Sequence, residues 1–194
     1  MIKLTLPISE DTIRSLKVGD EVSLYGTMVT GRDAAHSWMI RERPDEVREL
    51  LNESVIYHCG PVVARDGDQW RFVAAGPTTS IREEPYQADI IKEYHLRGVM
   101  GKGGMGPKTL AGLQEAGAVY LHAVGGAATL LAQAVKRVRN VIKLEEFGVP
   151  EAMWVIDVED FRAVVSMDSH GGSLHQNIRE ASTKVARRLL NLDQ

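Results

Sequence analysis

The chain has 194 residues, 44% hydrophobic and 25% charged, a globular composition that excludes a low-complexity or disordered chain. Its 23 basic and 26 acidic residues leave a formal charge of −3, which argues against nucleic acid as the main partner. The single cysteine, Cys59, excludes an intrachain disulfide framework and cannot alone hold a zinc ribbon or an iron–sulfur cluster. The first twelve residues lack the apolar core of a signal peptide. No stretch reaches the ~18 uninterrupted apolar residues of a membrane span. The expectation is one domain over residues 1–194 in reducing cytoplasm, with no membrane partner.

Ile2, Leu4, Leu6 and Ile8 alternate with polar residues or Pro7, which predicts a strand. A short helical turn from Ser9 leads to Gly19, and residues 21–30 form a β-rich run. Residues 34–51 read as helix with a break at Pro44, and residues 54–59 as an apolar strand. Asp66-Gly67-Asp68 marks a hairpin turn between residues 62–65 and 69–75. A helix follows over 82–97, with Tyr86, Ile90, Ile91 and Tyr94 on one face. Then come a strand at 98–100, a helix at 107–116, a strand at 118–124 and an alanine- and leucine-rich helix at 127–139. Residues 152–158 and 161–167 read as two strands. The last helix spans about 173–192, with Ile178, Val185, Leu189 and Leu192 as expected core contacts. Strand–helix alternation predicts an α/β fold with a mixed sheet and covering helices.

Three glycine-bearing segments carry the chemistry. GKGGMG at 101–106 follows a strand and precedes a helix, the setting of a dinucleotide-binding turn. The acid that such a fold wants about 20 residues further on is missing, because the next strand ends His122-Ala123-Val124-Gly125. Gly101 and Gly106 also have phosphate-loop spacing, but Pro107 intrudes before Lys108-Thr109. A tight turn needing positive φ accounts for the glycines and not for Lys102 among them.

GPTTSIR at 76–82 puts Thr78, Thr79 and Ser80 where a helix begins, and free backbone N–H groups there suit an anion. The plainer reading is that one of the three hydroxyls caps the helix. Arg82 can face the same anion or solvent. In GRDAAH at 31–36, Arg32 at a strand end can clamp a carboxylate with two parallel hydrogen bonds. Asp33 can orient Arg32 or cap the next helix. His36 can be a ligand, an acid or base, or a plain helix residue. His58, His122 and His170 are too scattered for a metal site, and Cys59 on its apolar strand reads as buried and inert. A threonine-rich turn with Arg32, Arg82 and Lys102 at element ends suits a small dianion, with hydroxyl chemistry available. No Ser–His–Asp or paired-carboxylate arrangement accompanies them, so the chain reads as half of an active site.

GTMVTGRDAAH at 26–36, YHCGPVV at 57–63, AAGPTTSIR at 74–82, GKGGMG at 101–106 and GVPEAMWVIDVEDF at 148–161, in this order, resemble the β subunit of two-subunit class I fumarases. The C-terminal domain of single-chain fumarases is the same unit, and the L(+)-tartrate dehydratase β subunit is similar. The resemblance implies a swivelling β/β/α domain. It implies an iron–sulfur hydro-lyase that hydrates fumarate reversibly to (S)-malate. The [4Fe–4S] cluster would be bound by an α subunit, not by this chain, and would act as a Lewis acid on the hydroxyl. The implied assembly is α₂β₂, two of each chain. Within the motifs, Thr78 takes the position of the catalytic base, with Thr79 adjacent to it in register. Arg32, Arg82 and Lys102 take the positions of the substrate-carboxylate binders, and Asp33, His36 and Thr79 are supporting candidates. GRDAAH looks more like the fumarase pattern than the tartrate dehydratase one. A non-catalytic anion-binding module is a reading of a different class.

Overall fold

A computed structural model describes residues 1–190. Leu192, expected in a core contact, lies outside them. Strand β1 (Ile2–Thr5) and helix α1 (Glu10–Arg14) lead into the ten-residue β2 (Glu21–Thr30). Helix α2 (Asp33–Glu42) ends at Arg43, whose φ of 46° stops it just before Pro44. A 3₁₀ turn at Asp45–Val47 and the short α3 (Arg48–Leu51) complete the segment expected to break there. After β3 (Val55–Tyr57) comes the hairpin of β4 (Val62–Asp66) and β5 (Gln69–Ala74), turning at the expected Asp-Gly-Asp. Three more units follow: α4 (Glu84–Glu93) with β6 (Gly98–Gly101), α5 (Pro107–Ala116) with β7 (Val119–His122), and α6 (Ala128–Ala134) with β8 (Val135–Ile142). The short α7 (Leu144–Phe147), the 15-residue β9 (Met153–Met167) and α8 (Leu174–Leu189) complete the described chain. No helix among the described residues is long and apolar enough to cross a membrane.

β1 and β3 lie parallel to successive parts of β2, and β6 and β7 continue the parallel set. β9 runs antiparallel and pairs with both β7 and β2. The pairings β2–β3–β6–β7–β9–β2 therefore close into a circuit, with β8 added on the outer part of β9. Alternation along the strands sorts side chains between two cores. Val55, Tyr57, Met100, Val119 and Leu121 point to one side; Ile56, Val99 and Tyr120 point to the other, against Trp38, Met39, Ile90, Ile91 and Leu113 of the helices. The mixed sheet with covering helices is as the strand–helix alternation predicts.

Three local expectations are corrected. The helix expected over 127–139 stops at Ala134, and residues 135–142 are β8. Val135, Val138 and Val141 recur every third residue, as on a helix. The strand absorbs that period with register shifts between Val135 and Arg137 and between Val138 and Asn140. The two strands expected at 152–158 and 161–167 are the single β9. Trp154, Ile156 and Val158 share a core with Phe161, Ala163 and Val165, so the inward parity changes between Val158 and Phe161. Asp160, at φ 53°, sits in that bulge and accepts a 2.7 Å hydrogen bond from Ser23 Oγ. The third correction concerns α8, whose Ile178, Val185 and Leu189 are exposed and make no core.

Candidate active site

Parallel strands β2, β3, β6 and β7 all end on the same rim, and the candidate residues follow those ends. The carboxyl ends of parallel strands are where α/β folds, open or closed, commonly place their ligands. Arg32 follows β2, His58 follows β3 and Lys102 follows β6. The Thr78–Ser80 segment, after β5, lies between the last two. Thr78 N–H donates to the His58 carbonyl at 2.7 Å, Lys102 N–H to the Thr78 carbonyl at 3.1 Å, and Ser80 N–H to the Lys102 carbonyl at 3.0 Å. A two-rung ladder thus fixes the threonines beside Lys102. The fit is tight: a Cβ on Gly101 would overlap Ser80 Oγ and approach His58 to 3.2 Å. Gly103 and Gly104, at φ 82° and 75°, make the turn after Lys102 that the sequence predicts.

None of the three hydroxyls caps a helix, so the capping reading falls. Thr78 Oγ1 donates to the His58 carbonyl at 3.0 Å, and the residue is half-buried. Thr79 sits at the start of the 3₁₀ turn Ser80–Glu83 without a side-chain cap bond, and is exposed. Ser80 Oγ is buried, 2.9 Å from His58 Nδ1, and accepts from Tyr120 Oη at 2.8 Å. Burial pushes the Tyr120 phenol up to about 12, and its hydrogen bond to Ser80 opposes that rise without cancelling it.

The two arginines differ. Arg32 is mostly enclosed. Its Nη1 meets Glu151 Oε1 at 3.2 Å and the Pro150 carbonyl at 3.4 Å, while its Nε is buried without a partner. Glu151 Oε2 also accepts from Ala34 N–H at 3.1 Å, so Glu151 caps α2. Asp33 does not orient Arg32. It pairs with the exposed Arg82 at 2.7 Å. Lys102 is half-buried and makes no ion pair among the described residues. Glu83 is 1% exposed; burial, reinforced by the Asp33 charge, pushes its carboxyl up to about 8. Arg82 opposes that rise without cancelling it.

His36 is not at the surface. Its Nδ1 lies 2.8 Å from the Arg32 carbonyl and its Nε2 3.0 Å from Gln87 Oε1. His58 Nε2 meets the same Gln87 oxygen at 2.8 Å, and the two imidazoles stand edge to face at 5.0 Å. Burial holds both below the usual imidazole range, His58 well below it. Gln87, Tyr120 and Glu151 were not among the sequence candidates, Ser80 was read there only at an anion-suited or capped helix start, and His58 was set aside as too scattered for a metal site. One signal existed: Gln87 lies three and four residues before Ile90 and Ile91, a polar side chain on the apolar stripe of α4.

The nucleotide readings of GKGGMG fail on geometry. The N-terminus of α5 is already filled by an internal carboxylate: Glu84 accepts from Gly106 N–H at 2.8 Å, Thr109 N–H at 3.1 Å and Thr109 Oγ1 at 2.6 Å. A phosphate at that helix end would meet this charge. A cleft of 570 Å³ lies beside the turn, lined by Ile81, Gly103, Met105 and His175 among others, and Thr78, Arg32, Arg82 and Lys102 are not part of it. Of those four, Arg82 is exposed, Thr78 and Lys102 are half-buried and Arg32 is mostly enclosed.

The side chains of this chain do not fit an iron–sulfur cluster. Such a cluster takes several thiolates. Cys59 is fully buried, with its thiol pushed up to about 12 by burial. No group of three metal-ligating side chains occurs among the described residues.

The Fumarase C-terminus family model matches residues 1–178. A protein of Geobacillus stearothermophilus, provisionally named class I fumarate hydratase, is 54% identical over 184 residues, 94% of this chain. This chain spans only 35% of that relative's length. An L(+)-tartrate dehydratase β subunit, provisionally so named, from Methanocaldococcus jannaschii is 40% identical over 95% of this chain and 96% of its own. The L(+)-tartrate dehydratase β subunit of Escherichia coli K12 is 40% identical over 88% of this chain and 85% of its own. With its family model matched from the first strand into the last helix, and its glycine-bearing loops meeting on one rim, the chain belongs to the fumarase C-terminus family.

Proposed function

We propose that this chain is the β subunit of a class I fumarate hydratase, a hydro-lyase that interconverts fumarate and (S)-malate. It works with an α subunit that carries the [4Fe–4S] cluster, in an α₂β₂ assembly. The observation that carries the reading is the rim itself. A partly exposed threonine hydroxyl is laddered to a lysine that makes no ion pair among the described residues, and two arginines stand on the neighbouring loops. Lys102, Arg32 and Arg82 bind the two carboxylates of the substrate. Charge-assisted pairs of this kind are short and directional, so they set the substrate carbon over Thr78.

Dehydration of malate removes a proton from the carbon next to a carboxylate. Thr78 Oγ1, once its own proton has passed to an acceptor outside this chain, takes that proton as the hydroxyl leaves from the neighbouring carbon. A threonine is a weak base, so it relies on the surrounding cations and on a proton acceptor outside this chain. The lone buried cysteine supports placing the cluster on the partner, and the exposed Arg82 with the half-buried Thr78 and Lys102 supports a site completed by that partner.

The chain reconstituted anaerobically with its α subunit should hydrate fumarate, and the chain alone should not. Thr78→Ala should lower kcat by about 10²–10⁴-fold with inhibitor affinity nearly unchanged. Lys102→Ala should weaken kcat/KM by about ten- to hundredfold. Normal turnover by Thr78→Ala, or turnover by the iron-free chain alone, overturns the reading. A second reading, tartrate dehydration, is favoured by the two relatives that match over nearly their whole length. Parallel assays with fumarate and L-tartrate on the same complex separate the two.

A further inference from the structure

We propose that Gln87 is a positioning residue whose amide N–H₂ group is shared between His36 and His58. It holds both as the neutral Nδ1–H tautomer and ties Arg32 and the Thr78–Ser80 segment to one buried point. The argument is donor–acceptor accounting. One end of the Gln87 amide lies 3.0 Å from His36 Nε2 and 2.8 Å from His58 Nε2, and the other end is buried without a partner. The two ends of an amide have the same shape, and the hydrogen-bond pattern decides which is oxygen.

His36 decides it. Its Nδ1 is 2.8 Å from the Arg32 carbonyl oxygen, which can only accept, so Nδ1 carries a proton. If Gln87 presented oxygen, His36 Nε2 would have to donate as well, and the ring would be a cation. That ring is fully buried and makes no hydrogen bond to a carboxylate. Of the charged and titratable groups that face it, Asp33 favours the cation but is paired with Arg82, and His58 across the edge-to-face contact is itself kept neutral by burial. Burial outweighs Asp33. The neutral ring requires the amide nitrogen to face Nε2.

The same NH₂ group then faces His58 Nε2, so His58 also carries its proton on Nδ1. It donates to Ser80 Oγ at 2.9 Å, where Tyr120 Oη also donates. Every ring nitrogen is satisfied. The remaining orphan is a single carbonyl oxygen rather than an N–H₂ group, the less costly of the two to leave unpaired.

The consequence reaches the rim. Arg32's carbonyl is held twice by His36, from its backbone N–H at 2.9 Å and from Nδ1. His58's carbonyl holds both the N–H and the hydroxyl of Thr78, and Ser80 is bonded to Lys102. One side chain on α4 therefore coordinates three loops that arise from different strands.

The test is histidine-selective ¹⁵N labelling of the chain, with long-range ¹H–¹⁵N correlation near neutral pH. His36 and His58 should both appear neutral and protonated on Nδ1, the reverse of the tautomer that dominates in water. A cationic His36, or an Nε2–H tautomer on either ring, overturns the proposal. In Gln87→Glu an ionised carboxylate can only accept, so His58 should shift to Nε2–H and His36, which keeps Nδ1–H on the Arg32 carbonyl, should become a cation. Unchanged tautomers in that variant also overturn it. The activity readout rests on the proposed hydro-lyase function. Gln87→Glu in the reconstituted complex should lose about ten- to hundredfold in kcat/KM, as for other residues that orient a site from behind. The tautomers are read without substrate, so failure of the fumarase reading leaves that result standing.

Discussion

Helix α4 and helix α8 break the amphipathic rule in opposite ways. α4 carries a polar side chain, Gln87, on its buried face, and α8 carries Ile178, Val185 and Leu189 on a face left exposed among the described residues. Gln87 is fully enclosed because two imidazoles, themselves polar, meet its amide there. Ile178, Val185 and Leu189 of α8 are 48–72% exposed, although the first turn of the helix still meets the body through His175, beside Gly104 and His122. The family match itself ends at residue 178, within this helix. A helical period thus says that a stripe exists. What lies opposite decides whether polar residues can be buried or apolar ones left in water.

The largest effect that sharpens this contrast is in acid. His36 and His58 have folded pKa values below the usual 6.5, so between those values the unfolded chain binds more protons. Their contribution to stability is present above about pH 6.5 and is lost as pH falls below it. Each unit of displacement is worth about 1.4 kcal/mol per imidazole. Urea midpoints across this range should fall with acid, and the slope should shrink in His36→Gln. An equal slope in the variant would mean that the buried ring carries no pH dependence.

Removing the amide should cost less. Gln87→Leu keeps much of the volume but leaves two buried imidazole nitrogens without a donor, a loss of about 1–3 kcal/mol. A variant as stable as the parent in chemical denaturation would show that the imidazoles find other partners.

Glu83 moves in the opposite direction with pH. Its folded pKa of about 8 lies above the usual 4.5, so the folded chain keeps a proton that the unfolded chain has released. Its contribution falls as pH rises from about 4.5 to about 8. Glu83→Gln should flatten stability on that side, and an unchanged profile in melting scans would remove Glu83 as its source.

The smallest effect belongs to α8. Ile178→Ser and Leu189→Ser should each stay within about 0.5 kcal/mol of the parent, because both side chains are already in water. A loss of more than about 1 kcal/mol in either would show that something covers this face in solution.

What the sequence determined by itself was whatever a short window contains. The apolar run Val55-Ile56-Tyr57 marks β3, Asp66-Gly67-Asp68 turns the hairpin, and the glycines around Lys102 mark a tight turn. The rest depended on partners far away in the chain. Residues 135–142 carry a helix-like period and became a strand because β9 could pair with them through two bulges. Residues 153–167 change parity at Asp160 and remained one strand because β2 runs alongside the whole bulge. Asp33, next to Arg32 in sequence, pairs with Arg82 instead, because α2 points its first turn toward the Ser80–Glu83 turn. Gln87 acquired its role only when β3 and α2 brought His58 and His36 to the same spot, since a hydrogen bond needs both ends in place and a sequence window holds only one.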